Sequence, residues 1–214
     1  MDQYSEVERK FDVDPGAALP DLSGVDPGHS VTEAVESELD ATYFDTADAE
    51  LARHGITLRR RTGGDDAGWH LKLPARQDER TEIRLPVGLP TRTVPVALVR
   101  EVRAIVGDRP LVPVAILRTT RIERILLGAD GNALAAVADD TVHGQRLTGG
   151  AVELSTWREV EVELIDGDRA FLDAVSDRLS AAGLTPSGSS SKLARVLGDP
   201  RETKSAQGQG SQPR

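Results

Sequence analysis

Two glutamates and a lysine occupy every second position near the start of the chain, as Glu6, Glu8 and Lys10. Side chains two residues apart on a β-strand share one face, so a strand here would present two carboxylates and an ammonium together. Carboxylates bind hard divalent cations, and an ammonium binds anions. The pattern is also typical of a surface strand whose polar face meets water, which is the commoner case for such a short motif. The pattern of charges in the other predicted strands shows whether this face belongs to a binding site or to the solvent-exposed surface.

Charged and apolar side chains alternate in the same way in several later segments. The charged members are Arg59 and Arg61, His70 and Lys72, Arg80, Glu82 and Arg84, and Glu159, Glu161 and Glu163. A face that meets water has no reason to sort acids from bases by strand. Here the acids dominate the first and last segments, and the bases dominate the middle ones. The sorting favours a site in which an acidic wall meets a basic wall.

Pro and Gly clusters divide the chain into eight strand-like segments with short connections. These segments are 5–14, 31–45, 56–62, 68–75, 80–87, 114–128, 133–144 and 152–167. Helices are predicted at 46–55, with Thr46 as its cap and Gly55 at its end, and at 94–107 and 168–183. Shorter helical turns are expected at 18–22 and 190–197. The prediction is a mainly β (α+β) fold, an eight-stranded antiparallel closed barrel with helices packed outside, just wide enough to hold one small ligand.

The amphipathic helices need the apolar faces of the strands, so the charged faces of the strands point into the barrel. Isolated ions lose far more hydration free energy than a core can offset. The interior must therefore be wet, internally paired or occupied by an ionic ligand.

Composition narrows the class of protein further. The chain has 214 residues, enough for one substantial core, and it has no cysteine, which excludes a disulfide scaffold and a thiolate metal site. A net charge of -9 argues against a general binder of nucleic acid or of anionic membranes. No signal peptide and no bilayer-spanning apolar run is visible. A cytoplasmic location is the expectation.

Eight ordered motifs resemble the CYTH domain of triphosphate tunnel metalloenzymes. They are EVERK at 6–10, YFDT at 43–46, LRRR at 58–61, WHLKLP at 69–74, the pair Arg80 and Glu82, DD at 139–140, EVEVEL at 159–164 and SSK at 190–192. The resemblance spans roughly residues 4–197 and is strongest to the CYTH part of bacterial proteins that carry a C-terminal CHAD domain. The chain stops where that domain would begin, so we expect either a stand-alone version or a fragment, with a CHAD domain as a candidate partner.

The resemblance implies a triphosphate tunnel domain over residues 1–198, followed by a disordered polar tail over 199–214. It implies that the tunnel binds a triphosphate-containing small molecule or polyphosphate, with Mg²⁺ or Mn²⁺ as cofactor. By the same resemblance, the metal ligands are Glu6, Glu8, Glu159 and Glu161. Glu82 and Asp139 are expected to help hold a second metal or to orient the attacking water, with Asp140 as the alternative to Asp139. The expected substrate-binding residues are Lys10, Arg59, Arg61, Lys72, Arg84, Arg121 and Lys192.

The chemistry of these residues agrees with that expectation. A triphosphate carries about four to five negative charges near neutral pH, so it needs a wall of Lys and Arg as its complement. Mg²⁺ takes carboxylates together with substrate phosphates and waters. There is no GxxxxGK[ST] motif to cradle phosphates. The sequence therefore predicts a metal-dependent triphosphatase that releases orthophosphate.

Three other functions remain open from the sequence. The same tunnel could act as a class IV-type adenylate cyclase or as a thiamine triphosphatase. With three Phe, two Tyr and two Trp in the chain, an aromatic platform for adenine or thiamine is not expected, which favours the inorganic substrate. The other alternative is a non-catalytic module that binds polyphosphate or nucleotides, which would not require every carboxylate.

Overall fold

The computed structural model describes residues 2–76, 78–88, 93–147 and 153–198. Its strands are β1 Asp2–Val13, β2 Gly28–Val31, β3 Val35–Asp45, β4 Thr57–Thr62, β5 Gly68–Arg76, β6 Glu79–Pro86, β7 Val112–Gly128, β8 Ala133–Arg146, β9 Glu153–Leu164 and β10 Thr185–Pro186. Its helices are α1 Glu50–Arg53, α2 Val96–Val106, α3 Arg169–Ala181 and α4 Lys192–Leu197. The predicted tail, 199–214, lies outside the described residues.

Eight antiparallel strands form a closed ring in the order β1, β6, β5, β4, β3, β7, β8 and β9, and β9 pairs with β1 again. The first half of β1 pairs with β6, and its second half pairs with β9. Two short strands lie outside the ring, with β2 beside β7 and β10 beside β1. The predicted fold, an antiparallel ring of eight strands with few helices, is confirmed.

Two sequence predictions about local structure are wrong. The segment 31–45 is not one strand, because β2 ends at Val31 and β3 begins at Val35. The segment 18–22 forms no helical turn and instead belongs to a loop. The short helix after β3 is present but is capped mainly by Asp45, whose carboxylate accepts hydrogen bonds from the N–H groups of Leu51 and Ala52 at 2.8 and 2.9 Å. Thr46 contributes through its hydroxyl, which accepts from the N–H of Glu50.

Helices α2 and α3 cover the outer faces of the strands. On α2, Leu98, Val102 and Val106 pack against outward-facing residues such as Leu58 and Trp69. On α3, the buried residues Phe171, Leu172, Val175 and Leu179 pack against the outer faces of β1, β8 and β9. Burial of each large apolar side chain stabilises the fold by about 1.5–3 kcal/mol. Among the described residues, none of the helices has the length and apolar character needed to cross a bilayer.

Helix α4 is placed differently, because it packs against inward-facing residues at one end of the ring. Its side chains Leu193, Val196 and Leu197 contact a cluster that includes Trp157 and Val142. Trp157 and Val142 share the faces of Glu159 and Asp140, since strand residues two apart point the same way. Ser191 caps the helix, its hydroxyl accepting from the N–H of Ala194 at 3.0 Å. An apolar plug therefore fills this end of the interior.

The turn between β4 and β5 fixes the hairpin that carries most of the basic wall. Gly63 and Gly64 there have positive φ angles of 80° and 68°. A Cβ atom on Gly63 would lie 2.0 Å from the carbonyl oxygen of Glu38. Only glycine allows both the left-handed backbone and this close approach. The turn therefore sets the register in which Arg59 lies opposite His70.

Candidate active site: a tunnel with an acidic and a basic wall

The interior of the ring holds a cavity of about 60 Å³, which we call the tunnel. Every predicted site residue except Asp139 and Glu159 lines it, and Arg80, Glu163, Asp66 and Tyr43 line it as well. β1 and β9 supply the acidic wall, while β4, β5 and β6 supply most of the basic wall. A larger groove of about 690 Å³ lies between α3 and the turn that joins β5 to β6, and Glu8, Lys10 and Arg80 line both spaces. The two spaces are thus neighbours, separated by these three side chains.

The two consecutive aspartates of β8 point in opposite directions, and the expectation for Asp139 is corrected. Asp139 lies on the outer face, where its carboxylate accepts two hydrogen bonds from Arg158 at 2.8 and 2.7 Å. Asp140 points inward, where it accepts two from Arg121 at 2.8 and 2.7 Å. β8 has apolar residues on both of its faces, so period-two alternation could not decide which aspartate faces the tunnel.

Lys192 holds three carboxylates together at the end of the tunnel that α4 closes. Its Nζ lies 2.9, 2.6 and 2.8 Å from carboxylate oxygens of Asp140, Glu159 and Glu161. These contacts are ion pairs, and the Oε1 of Glu159 has no hydrogen-bond partner among the described residues. The indole N–H of Trp157 donates to the other oxygen of Glu159 at 2.5 Å.

These three carboxylates are close enough together to hold a metal ion, and no other such group occurs among the described residues. The ammonium of Lys192 and the guanidinium of Arg121 already provide their counter-charge. The pKa of Asp140 is lowered, because Lys192 and Arg121 outweigh the opposite effect of burial. The structure therefore groups Glu159 with Asp140 and Glu161 at the closed end, and Glu161 also reaches Lys10, the partner of Glu8.

A second acidic group lies where β1, β6 and β9 meet. Its members are Glu6, Glu8, Glu82 and Glu163, and Glu8 lies directly opposite Glu163 in the β1–β9 pairing. Lys72 approaches Glu6 at 2.6 Å, and Lys10 approaches Glu8 at 3.0 Å and also pairs with Glu161. Glu163 has no ion pair within 4.0 Å in the part of the chain that the structure describes.

The pKa values in this second group diverge. Burial raises the pKa of Glu6 to about 7, and the nearby carboxylates of Glu82 and Glu163 act in the same direction against Lys72. Burial and the neighbouring carboxylates, chiefly Glu8, also raise the pKa of Glu163. Burial would raise the pKa of Glu8 too, but Lys10 and Lys72 outweigh it and lower the value to about 2. Burial is the main cause of the raised pKa values of Glu6 and Glu163, the crowding of carboxylates adds to it, and Lys72 acts in the opposite direction on both residues.

The basic wall contains a guanidinium without a carboxylate partner. Arg59 donates to the hydroxyl of Tyr43 at 3.3 Å, its Nε has no hydrogen-bond partner, and it forms no ion pair within 4.0 Å with any described residue. Arg61 is buried beside it and pairs with Asp66. Burial, together with the charges of Arg59 and Arg121, lowers the pKa of Arg61 to about 9. An anion between these two neighbouring cations would offset their repulsion.

Glu82 is completely buried and has partners on every side. Its Oε1 lies 2.9 Å from Nδ1 of His70, and its Oε2 accepts from Arg84. Lys72 is 4.0 Å away. The pKa of Glu82 is lowered, because His70 and Lys72 outweigh the effect of burial. Glu82 is therefore an ionised carboxylate in a fixed position.

Sequence reasoning left several residues of this tunnel unassigned or weakly assigned. The alternation along β9 and β6 already placed Glu163 with Glu161 and Arg80 with Glu82, so the signal for both was present. Asp66 and Tyr43 had no such signal, because one belongs to a turn and the other is an aromatic residue among apolar neighbours. The alternation along β5 places His70 on the charged face with Lys72, and its ring contacts Glu82 and the carbonyl oxygen of Asp66 there.

The ring of eight antiparallel strands and its charged interior together define a β-tunnel protein. The CYTH domain family model matches residues 5–197, and the chain belongs to that family. The uncharacterized proteins MT2285 and Rv2226 of Mycobacterium tuberculosis are each 46% identical over 208 residues, which is 92% of this chain. The chain spans only 40% of the length of those relatives.

Solved structures share the fold at low sequence identity. A candidate adenylate cyclase from Bacillus halodurans superposes with a TM-score of 0.61 at 17% identity and covers 92% of this chain and 100% of its own. The candidate adenylyl cyclase HpAC1 from Hippeastrum, described as having a dominant triphosphatase activity, gives a TM-score of 0.53 at 19% identity, with 90% and 95% of the two chains covered. At these identities the likeness extends to the fold alone.

Proposed function

We propose that this protein is a divalent-metal-dependent triphosphatase that hydrolyses inorganic triphosphate, or a related short triphosphate compound, and releases orthophosphate. One observation carries the proposal: among the described residues, Arg59 has no carboxylate and Glu163 has no cation within the 4.0 Å of an ion pair. A polyanion bound together with a divalent cation would satisfy both. The family membership supports the same class of ligand.

The carboxylates of the second acidic group lie farther apart than those of Asp140, Glu159 and Glu161, so a bound ion would have to draw them together. They are nevertheless the better candidates, because Glu163 has no ion pair within 4.0 Å among the described residues. We assign Glu6, Glu8, Glu161 and Glu163 as the ligands, with Glu163 in place of the predicted Glu159. Hard oxygen donors of this kind suit Mg²⁺ or Mn²⁺. When bound, such an ion would neutralise charge that builds on the phosphate oxygens during cleavage.

The phosphates would be held by the basic wall. Eight basic and six acidic side chains line the tunnel, so it has an excess of two positive charges within a protein of net charge -9. Arg59 and Arg61 can each fork onto two phosphate oxygens, whereas Lys10 and Lys72 act as point charges. Arg84 and Arg121 complete the set at the two ends. Lys192 is left out of it, because its ammonium already pairs with three carboxylates.

Glu82 is the residue that we assign to the attacking water. It is ionised, fully buried and held in one orientation, so it can accept a hydrogen bond from a water aligned with the scissile bond. Its lowered pKa makes it an acceptor that orients the water and not a base that takes its proton. The remaining residues bind, orient and stabilise charge, which is the larger part of catalysis in phosphoryl transfer. Asp139 has no role in this scheme, because it lies outside the tunnel.

The test is phosphate release from tripolyphosphate, ATP and thiamine triphosphate, with Mg²⁺, with Mn²⁺ and with a chelator. The expected result is metal-dependent release of orthophosphate, fastest from tripolyphosphate. Formation of cyclic AMP from ATP would instead support a cyclase, the activity that the names of two structural neighbours suggest. Tight binding of tripolyphosphate with no turnover under any metal would overturn catalysis in favour of a binding module.

A further inference from the structure

A buried histidine lies between the two halves of the site, and the scheme above does not use it. His70 is 1% exposed and projects from β5 into the interior, beside Arg59 of β4 and Arg84 of β6. Its Nδ1 lies 2.9 Å from the Oε1 of Glu82, and its Nε2 lies 2.8 Å from the carbonyl oxygen of Asp66. Both of these neighbours are hydrogen-bond acceptors.

The protonation of the ring follows from its surroundings. Burial lowers the pKa of His70 to about 4, and Arg59 and Arg61 act in the same direction against Glu82. The ring is therefore neutral near pH 7 and carries one N–H, so it can donate to only one of the two acceptors at a time. Glu82 is ionised and accepts more strongly than a carbonyl group. The favoured tautomer has its proton on Nδ1 and donates to Glu82.

We infer that His70 is a positioning residue that fixes the carboxylate of Glu82 for the hydrolysis proposed above. His70 holds Oε1 while Arg84 holds Oε2, so the carboxylate plane is set from both sides. The other side of the ring faces the turn whose Asp66 pairs with Arg61 of the basic wall. This inference rests on the proposed function, since it gives Glu82 the water-orienting role.

Three substitutions separate this role from a packing role. His70→Asn keeps an amide donor near the position of Nδ1, whereas His70→Gln places its amide near Nε2. His70→Phe keeps a ring and removes both contacts. Loss of the partner of a site carboxylate is expected to reduce kcat about 10-fold to 100-fold in the Phe variant, with KM for tripolyphosphate nearly unchanged. The Asn variant should recover most of kcat and the Gln variant should not.

His143 offers a matched control on the protein surface. It is exposed, on β8, and its ring contacts the hydroxyl of Thr156 at 3.0 Å. His143→Phe is the same chemical change away from the tunnel and should leave kcat and KM unaltered. Recovery of kcat by Gln rather than Asn would overturn the inference in favour of a role through Asp66. Parallel loss of kcat and thermal stability in all three His70 variants would also overturn it.

A spectroscopic measurement tests the contact without relying on turnover. In protein with ¹⁵N-labelled histidine, the Nδ1–H proton of His70 should give a slowly exchanging resonance, because the group is buried and hydrogen-bonded. Glu82→Gln should shift or abolish that resonance, and Glu163→Gln should not. If the wild-type protein hydrolyses none of the triphosphates, the proposed function fails. A change of the Nδ1–H resonance in Glu82→Gln would even then support the fixing of Glu82 by His70. A resonance that is insensitive to Glu82→Gln would overturn the inference.

Discussion

Glu8 and Glu163 lie directly opposite each other where β1 pairs with β9, and Glu163 has no ion pair within 4.0 Å in the described chain. Like charges at directly opposed positions of an antiparallel pair destabilise the sheet. Burial and the carboxylates around Glu163 disfavour its ionised form, and both raise its pKa. A divalent cation between the two strands would offset the repulsion of the two carboxylates, which is why the site is assigned there and not at Lys192.

Substitution of Glu163 should therefore weaken the metal site more than substitution of Glu159. We expect Glu163→Gln to reduce affinity for Mn²⁺ by about tenfold or more, because the ligand set loses one charged oxygen donor. Glu159→Gln should leave Mn²⁺ affinity close to that of the wild type. Calorimetric titration of both variants decides the point, and equal losses of Mn²⁺ affinity would return Glu159 to the metal site.

Glu8→Gln should abolish turnover while the protein still folds, as measured by its thermal transition.

Arg59 should contribute more to phosphate binding than any paired arginine of the tunnel. It has no carboxylate to release before it binds, so its full charge is available to the substrate. A charge-assisted hydrogen bond contributes about 1.5–3 kcal/mol, so Arg59→Leu should raise the Kd of tripolyphosphate about 10-fold to 150-fold. Arg118→Leu is the matched control, since Arg118 is exposed and pairs with Asp40. Loss of affinity in both variants alike would count against a specific role for Arg59.

Metal binding should release protons in a definite pH range. Burial raises the pKa of Glu6 from 4.5 to about 7, so much of it is protonated at about pH 6 and must lose its proton to bind a cation. Mn²⁺ affinity should therefore fall as the pH drops below about 7, with a fraction of a proton released per ion. Titrations in buffers of different ionisation enthalpy measure that release. Proton release that is the same at about pH 6 and about pH 8.5, where Glu6 is ionised, would contradict the assignment of Glu6.

The two aspartates of β8 should differ in their effect on the tunnel. Asp140→Asn leaves the buried charges of Arg121 and Lys192 short of one partner, a type of change that costs about 3–5 kcal/mol of folding stability. Bound tripolyphosphate should restore part of that loss, because it supplies negative charge to Arg121. Asp139→Asn lies outside the tunnel and should leave tripolyphosphate affinity unchanged. Thermal melts with and without tripolyphosphate measure both effects.

The alternation along the strands predicted which faces point inward wherever apolar and charged residues separate cleanly. β1 and β9 show this, and Glu6, Glu8 and Glu161 all line the tunnel. β8 does not, because alanine and valine occur on both of its faces, and the assignment of Asp139 failed there. Period-two reasoning identifies a face only when the two faces differ in polarity.

The pairing of the strands and the depth of each residue in the tunnel could not be predicted from the sequence. Glu159, Glu161 and Glu163 are equivalent by alternation, but only the observed register places Glu163 opposite Glu8 and Glu159 opposite Asp140. The position of α4 could not be predicted from the sequence either. Its apolar residues predict burial but do not say whether they face the outside or the inside of a ring. Long-range contacts decide both, and a single sequence does not encode them locally.

The packing of α4 inside the ring can be tested at Gly144, which shares the inward face of β8 with Asp140 and Val142. A Cβ atom there would lie 2.6 Å from Cγ2 of Val196 and 3.1 Å from Cζ3 of Trp157. Gly144→Ala should therefore displace α4 and reduce the free energy of unfolding by about 1–3 kcal/mol, as overpacking does. The measurement is chemical denaturation.

Gly188→Ala is the control for that substitution, because no atom lies within 4 Å of the added Cβ and its φ is not positive. It should leave stability nearly unchanged. Val196→Ala removes the closest obstructing side chain, so in the Gly144→Ala background it should cost less than it costs alone. A double-mutant cycle with no coupling between positions 144 and 196 would show that α4 does not pack inside the ring. Because Lys192 belongs to α4, loss of that packing should also free the carboxylates of Asp140, Glu159 and Glu161 from their ammonium partner.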